Sequence, residues 1–278
     1  MVRHRMSDEQ WECIDDVFPK PAATGRPPRN PREMMDGIFW ILRTGSPWRD
    51  LPEEFGKWST VWDYFDRWNA DGTLASVLDR LKASHVDGKC IDEDLWLIDG
   101  TVVRAARCAA GGAKKEDPEE PEDHALGRSR GGFSTKIHIL CDRHGHPLHA
   151  HLTPGQAHES TCLKEMVEGV EVADHEGEPM PFAKKLAGDK GYRADWIDEY
   201  LLGEGIQPVI PSKVNEDREA RAVEFDREAY RARNMVERLI GWLKECRRIL
   251  TRFEKSAKNF LGMIQVSFIH RYLRIMTD

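Results

Sequence analysis

Apolar residues change their spacing near residue 90, and two styles of element follow. Up to residue 82 they recur at helical intervals. SDEQW (7–11) opens with a serine N-cap and an acidic first turn, MMDGIFWILR (34–43) is an apolar helix stopped at TGSPW, and STVWDYFDRWNADG (59–72) predicts a third helix ending near Gly72. The prolines of PKPAATGRPPRNPRE (19–33) keep that stretch out of a helix interior.

Beyond residue 90, β-rich runs alternate with helical ones. DLWLIDGTVVRA (94–105) reads as a buried strand, and STKIHILCD (134–142) with LHAHLTP (148–154) as a hairpin turning at RHGHP. HESTCLKEMVEGV (158–170) is a helix, FAKKLAGD (182–189) a second buried strand, ADWIDEYLLGEG (194–205) a helix and IQPVIPS (206–212) a closing strand. NFLGMIQVSFIHRYLRIM (259–276) is a final apolar helix. Residues 109–135, poor in apolar side chains and rich in Gly, Pro and charge, predict a long mobile loop. The succession predicts an α/β fold: a mixed sheet flanked by helices over residues 91–278, preceded by a small helical unit over residues 1–90. Three short helices with tight turns suggest a helix-turn-helix unit that binds DNA. Trp62, Phe65 and Trp68 have the spacing of a core face, so Arg26, Arg29 and Arg32 of the loop are the better phosphate contacts.

The stretch Tyr230–Ile249 concentrates the most chemistry. At about 100° per residue, Tyr230, Arg233, Glu237 and Lys244 share one stripe of a helix, with Gly241 beside the acid and Arg248 continuing the line. Met235, Val236, Leu239, Leu243 and Cys246 fall on the opposite, apolar side. Such a helix is either an ordinary solvated surface helix or a working face.

Composition narrows the choice. The formal net charge is −7, yet residues 231–278 hold eleven Lys/Arg against four Asp/Glu, an asymmetry that points to a polyanion partner. The six cysteines form no CxxC pair, which argues against a disulfide framework or zinc ribbon. No run of 18 apolar residues and no basic-then-apolar leader is present, so the chain reads as soluble and cytoplasmic, without a membrane partner.

Asp99 and Asp189 each follow a buried strand pattern, where an unpaired carboxylate costs several kcal/mol. Together with Glu237 they form a set of acids that a divalent cation would stabilise, Mg²⁺ or Mn²⁺, with two ions expected. Two such ions about 3.5 to 4 Å apart activate water and stabilise the leaving 3′ oxygen of a phosphoryl displacement.

Tyr230-x2-Arg233-x3-Glu237-x6-Lys244 resembles the Tyr-Arg-Glu-Lys signature of bacterial insertion-sequence transposases of the DDE class. SDEQW…GRPPR…GIFWILRTGSPWRDLP is similar to the N-terminal domain of the insertion-sequence-four/five type, and LIDGT, LGRSRGGFSTKIHILCD, LTPGQAHES and GDKGY to its catalytic core. The resemblance implies an RNase H-like core with Asp99, Asp189 and Glu237 as catalytic metal ligands. It also implies that Tyr230, Arg233 and Lys244 contact transposon-end DNA. Lys244 lies about 10 Å along the helix from Glu237, within reach of a neighbouring phosphate. With 47 residues between Asp189 and Glu237, no folded insertion domain is expected there. The implied partners are the terminal inverted repeats and target DNA, engaged by a dimer or higher assembly.

Three weaker signals remain. Five histidines and one cysteine crowd residues 138–151, but their spacing fits no zinc module and a hairpin explains them better. His158 fits either a helix-start turn or a place near the acids. Arg128, Arg130 and Lys136 flank a Gly-Gly pair and form a basic loop that could fold onto DNA. Beside the transposase reading stand a catalytically silent DNA-binding derivative and a stand-alone RNase H-type nuclease.

Overall fold

The computed structural model describes residues 5–19, 28–111, 120–216, 221 and 223–277. Arg26 and part of the expected 109–135 loop lie outside them. In chain order the elements are α1 (Asp8–Glu12), α2 (Pro31–Thr44), α3 (Trp58–Ala70), α4 (Thr73–Asp87), β1 (Leu95–Ala105), β2 (Gly127–Ser129) and β3 (Gly132–Asp142). They continue with β4 (Pro147–Pro154), α5 (Leu163–Glu168), β5 (Lys185–Ala187), α6 (Asp195–Gly203), β6 (Gln207–Val209) and α7 (Arg227–Arg231). The last are α8 (Asn234–Glu245), α9 (Arg247–Leu250), β7 (Thr251–Arg252) and α10 (Ala257–Thr277).

The sheet runs β4-β3-β1-β5-β6, with β2 on the start of β3 and β7 on the end of β1. β1 is central, antiparallel to β3 and parallel to β5; β5 is parallel to β6. This is the expected mixed, RNase H-like sheet. Alternation along β1 divides its side chains between two cores. Leu95 and Leu97 join the helices of the N-terminal unit together with α8 and α10, while Trp96 and Ile98 join Leu163, Met166, Ile197 and Leu201 of α5 and α6. The sheet is covered on both faces.

Among its described residues the N-terminal unit has four α-helices, one more than its periodicity suggested. Ser7 caps α1 in a reciprocal capping box with Gln10. α3 ends as expected before Gly72, whose left-handed φ of 82° turns the chain directly into α4. Phe65 and Trp68 are buried on the inner face of α3. α4, α2 and α1 all pack on α10, so the unit shares one core with the C-terminal helix.

Two departures bear on function. The predicted helix 230–249 is three pieces, interrupted at Ala232–Arg233 and again at Cys246, whose ψ of 96° is not helical. The predicted loop 109–135 contains the β2–β3 hairpin, and residues 120–125 are tied down. The Glu120 carboxylate accepts from Ala257 N and Lys258 N at the start of α10, and the carbonyls of His124 and Ala125 accept from Arg252. Among the described residues no helix is long and apolar enough to cross a membrane.

Arg252 is fully buried. Its guanidinium also donates to Thr135 Oγ1 at 2.8 Å, Glu254 O at 3.0 Å and Lys255 O at 3.3 Å. Burial lowers its pKa to about 10, with nearby Glu120, Glu254 and Asp123 acting in the opposite sense. Arg252→Met would leave several buried acceptors without a donor, and each charged hydrogen bond is worth about 1.5 to 3 kcal/mol. The expected outcome is a loss of about 3 kcal/mol or more in unfolding free energy, read from urea denaturation monitored by circular dichroism.

Candidate active site

Register brings two of the acids together. In the parallel pair, Leu97 stands opposite Ala187. Two residues further along each chain come Asp99, still within β1, and Asp189, just past the end of β5. Asp99 therefore differs from its expected place at a strand end: it lies inside an eleven-residue strand, opposite Ile139 of β3. By alternation it faces the same side as Leu97, toward α8, which packs on β1 through Val236, Leu239, Ile240 and Leu243.

Asp99 is 15% exposed, and burial raises its pKa. Arg233 and the Gly100 N–H act to lower it, while the negative charges of Asp189 and Glu159 raise it further. Asp189 accepts from Gly191 N at 2.7 Å and caps the short turn Lys190–Tyr192. Glu237, on the outer side of α8, is 55% exposed. Arg233 links α8 to the sheet: Nη2 lies 3.1 Å from Asp99 Oδ2, and Nη1 lies 3.3 Å from Glu237 Oε1. The Tyr230 ring lies beside the guanidinium, 5.9 Å from centroid to Cζ. Among the described residues, no three His, Cys, Asp or Glu side chains are gathered closely enough to hold a metal as they stand. A guanidinium occupies the space between two of the acids.

The remaining expected contacts divide. Lys244 is half-buried on α8, and Gly241 has open space where a side chain would be. Arg128 and Arg130 are exposed at the β2–β3 turn, Arg128 over the Phe133 ring. Arg248 does not continue the α8 stripe, because the helix breaks before it. It is buried, donates to Glu254 Oε1 at 2.6 Å and Ser46 O at 3.1 Å, and so leaves the set of DNA contacts. Lys136 is buried on β3, donates to Ala157 O at 2.7 Å and lies 3.4 Å from Glu159 Oε1; it is no part of a basic loop. His158 takes the turn role, capping the 3-10 turn that follows it. In the histidine-rich hairpin, His146 Nδ1 pairs with Asp142 and His138 Nε2 with Thr153. Burial lowers the pKa of His138 to about 3, so it adds no charge beside Gly100.

The acid that the sequence pattern did not single out is Glu159. Its carboxylate lies in a cleft left by two glycines. A Cβ on Gly191 would stand 2.2 Å from Glu159 Oε2 and 2.9 Å from Asp189 Oδ1, and one on Gly100 would stand 3.2 Å from Glu159 Oε1. Glu159 and Asp189 thus border the same small space, and the charges of both are felt at Asp99. An acid in the first turn of a helix ordinarily reads as a dipole partner, which hid it. The available signal was a glycine following Asp99 and Asp189 within two residues.

Fold and carboxylates define an RNase H-like core with an acidic cleft at the carboxyl end of β5. The family description "Transposase DDE domain" matches residues 92–270, and "Putative transposase of IS4/5 family" matches residues 6–78. The chain belongs to the DDE transposases of the IS4/5 type. It is 36% identical to "Uncharacterized protein y4sN" of Sinorhizobium fredii over 117 residues, 42% of this chain and 89% of that one. It is 26% identical to "Putative transposase for insertion sequence element IS6501" of Brucella ovis over 142 residues, 51% of this chain and 100% of that one. Among solved structures, "Crystal structure of the Mos1 Strand Transfer Complex" aligns at 10% identity with a TM-score of 0.31, covering 94% of this chain and 80% of that one.

The shared cleft predicts a coupling. Gly191→Ala should destabilise the protein by about 2 kcal/mol through the clash with Glu159. In a Glu159→Ala background the same change should cost clearly less, a coupling of about 1 kcal/mol in a four-protein denaturation cycle. Equal costs in both backgrounds would show that the two groups do not compete for this space.

Proposed function

We propose that this transposase binds the terminal inverted repeats of an insertion sequence, cuts DNA at the element ends and joins the freed 3′ hydroxyl to target DNA. Asp99, Asp189 and Glu237 are the catalytic acids, and they hold Mg²⁺ or Mn²⁺, two ions at work. What carries the reading is the β1–β5 register, with Asp99 and Asp189 at equivalent steps along parallel chains and Glu237 linked to Asp99 through Arg233.

The donor set suits such ions: hard carboxylate oxygens with sides open to water and phosphate. Asp99, Asp189, Glu159 and Glu237, when ionised, carry four negative charges, whereas Lys136 and Arg233 pair with them as two positive ones. The excess is negative, which favours divalent cations there. Bound there, the ions would lower the pKa of water and neutralise charge on the leaving oxygen. The chain's own residues do the rest. The β1–β5 register fixes the spacing of Asp99 and Asp189, the Gly191 N–H orients the Asp189 carboxylate, and Lys136 tempers the repulsion from Glu159. Tyr230, Arg233 and Lys244 contact the end DNA beside the scissile phosphate. Exposed Arg128 and Arg130 reach a more distant one. Residues 1–90 supply further DNA contacts, including Arg29 and Arg32, and residues 91–278 the chemistry. A dimer or larger assembly brings two ends together.

The test is cleavage of end-bearing DNA. With Mg²⁺ the wild-type chain should nick at the element ends, and Asp189→Ala should reduce nicking by about a thousandfold or more while retaining end binding in a mobility-shift assay. Undiminished nicking by Asp189→Ala would exclude this site. End binding without any metal-dependent nicking by the wild type would instead favour the silent DNA-binding derivative.

A further inference from the structure

Arg233 is placed where it can do two incompatible things. As a guanidinium it bridges Asp99 Oδ2 at 3.1 Å and Glu237 Oε1 at 3.3 Å. Those are the same two acids that, on the proposed function, must turn their oxygens to a divalent cation. Mg²⁺ takes carboxylate oxygens at about 2.0 to 2.1 Å in a nearly rigid octahedron. A guanidinium lodged between two of its ligands therefore competes with it for both charge and space.

Three features make the bridge releasable. Its Glu237 end is more than half exposed, and an ion pair open to water is weak. In addition, Arg233 Nε is buried without a hydrogen-bond partner among the described residues. A buried donor left unpaired is costly, so the bridged arrangement leaves part of the guanidinium unsatisfied. A phosphate does so better, since its oxygens accept two parallel N–H bonds from one guanidinium edge. The residue sits at the junction of α7 and α8, immediately before the first residue of α8, so its side chain can turn without opening that helix.

We infer that Arg233 is a tethered counter-cation which closes the Asp99–Glu237 side of the cation site in the DNA-free chain and is drawn off by a DNA phosphate, so that DNA binding opens the site to metal. This rests on the proposed role of Asp99 and Glu237 as metal ligands. Because coupling between two ligands is reciprocal, the divalent cation must raise DNA affinity by the same factor as DNA raises metal affinity.

The test reads metal binding rather than turnover. Free Mn²⁺ is followed by electron paramagnetic resonance during titration of the full chain, with and without a short end-bearing duplex. In wild type the duplex should tighten Mn²⁺ binding about tenfold, within the usual range of such couplings. Arg233→Gln should tighten Mn²⁺ binding about tenfold without DNA, and the duplex should then add little. A variant that binds Mn²⁺ no better than wild type without DNA overturns the inference. So does one that gains equally with and without duplex, since that marks simple loss of a positive charge. Arg233→Lys keeps the charge but lacks the two-armed fork, and should show a reduced DNA-dependent increment; a full increment also overturns the inference. Asp189→Asn separates this result from the function itself. If Mn²⁺ binding to wild type with duplex does not weaken in Asp189→Asn, the metal-site reading fails. If it weakens while Arg233→Gln changes nothing, only the counter-cation role fails. Thermal unfolding of each variant confirms that a folded chain is being titrated.

Discussion

Like charge at short range is the constraint around which this molecule is built. The parallel pairing of β1 with β5 puts two carboxylates at matching steps, and sheet alternation turns Asp99 toward α8. Neither acid is free to leave, because the strands are fixed by apolar side chains on both faces. Burial already disfavours ionised Asp99, and two neighbouring carboxylates disfavour it further. The chain offsets part of that with Arg233 and Lys136, and leaves the remainder as a negative potential inside a cleft that one side of α8 borders.

Much of this arrangement is legible in the sequence, for a physical reason. Strand alternation, the proline-rich break and the hairpin turn are local, so β1, β3, β4, α6 and α10 follow from the sequence pattern alone. The apolar line Val236, Leu239 and Leu243 keeps one phase and correctly reports which face of α8 is buried. That continuity is also what misled. The phase runs on through Cys246, which is buried as expected, while the backbone departs from helix there to let β7 join the end of β1. A tertiary pairing of two residues overrode a helical period, and Arg248 turned from a surface charge into a buried partner of Glu254.

The same distinction between local and distant causes explains Glu159 and Lys136. Each lies in a stretch whose own pattern has a ready explanation, a helix start for Glu159 and a basic loop for Lys136. Their meaning comes from Gly100 and Gly191, which make room for a carboxylate from a third segment. No spacing rule connects positions 100, 136, 159 and 191, since the sheet alone makes them neighbours. The loop expected at 109–135 is a similar case. Its polar composition gives no apolar face to bury, yet Arg252, a buried cation from near the far end of the chain, uses the carbonyls of His124 and Ala125 as partners.

The division of the chain near residue 90 is a change of periodicity, and the core does not follow it. α4, α2 and α1 lie on α10, and Leu97 of the central strand belongs to the same apolar cluster as Met35, Phe65 and Phe268. Any force applied to the helical unit would therefore be carried by close-packed side chains into α10, and into α8 and α9, which share that cluster. Arg233 sits where α8 begins, with one arm on the sheet and one on the helix. A small rotation of α8 against β1 would carry Arg233 and Glu237 together and lengthen the ion pair to Asp99, which spans helix and sheet. The arm to Glu237 lies along the helix and moves with it, so the pair to Asp99 is the one through which such a movement is felt at the sheet.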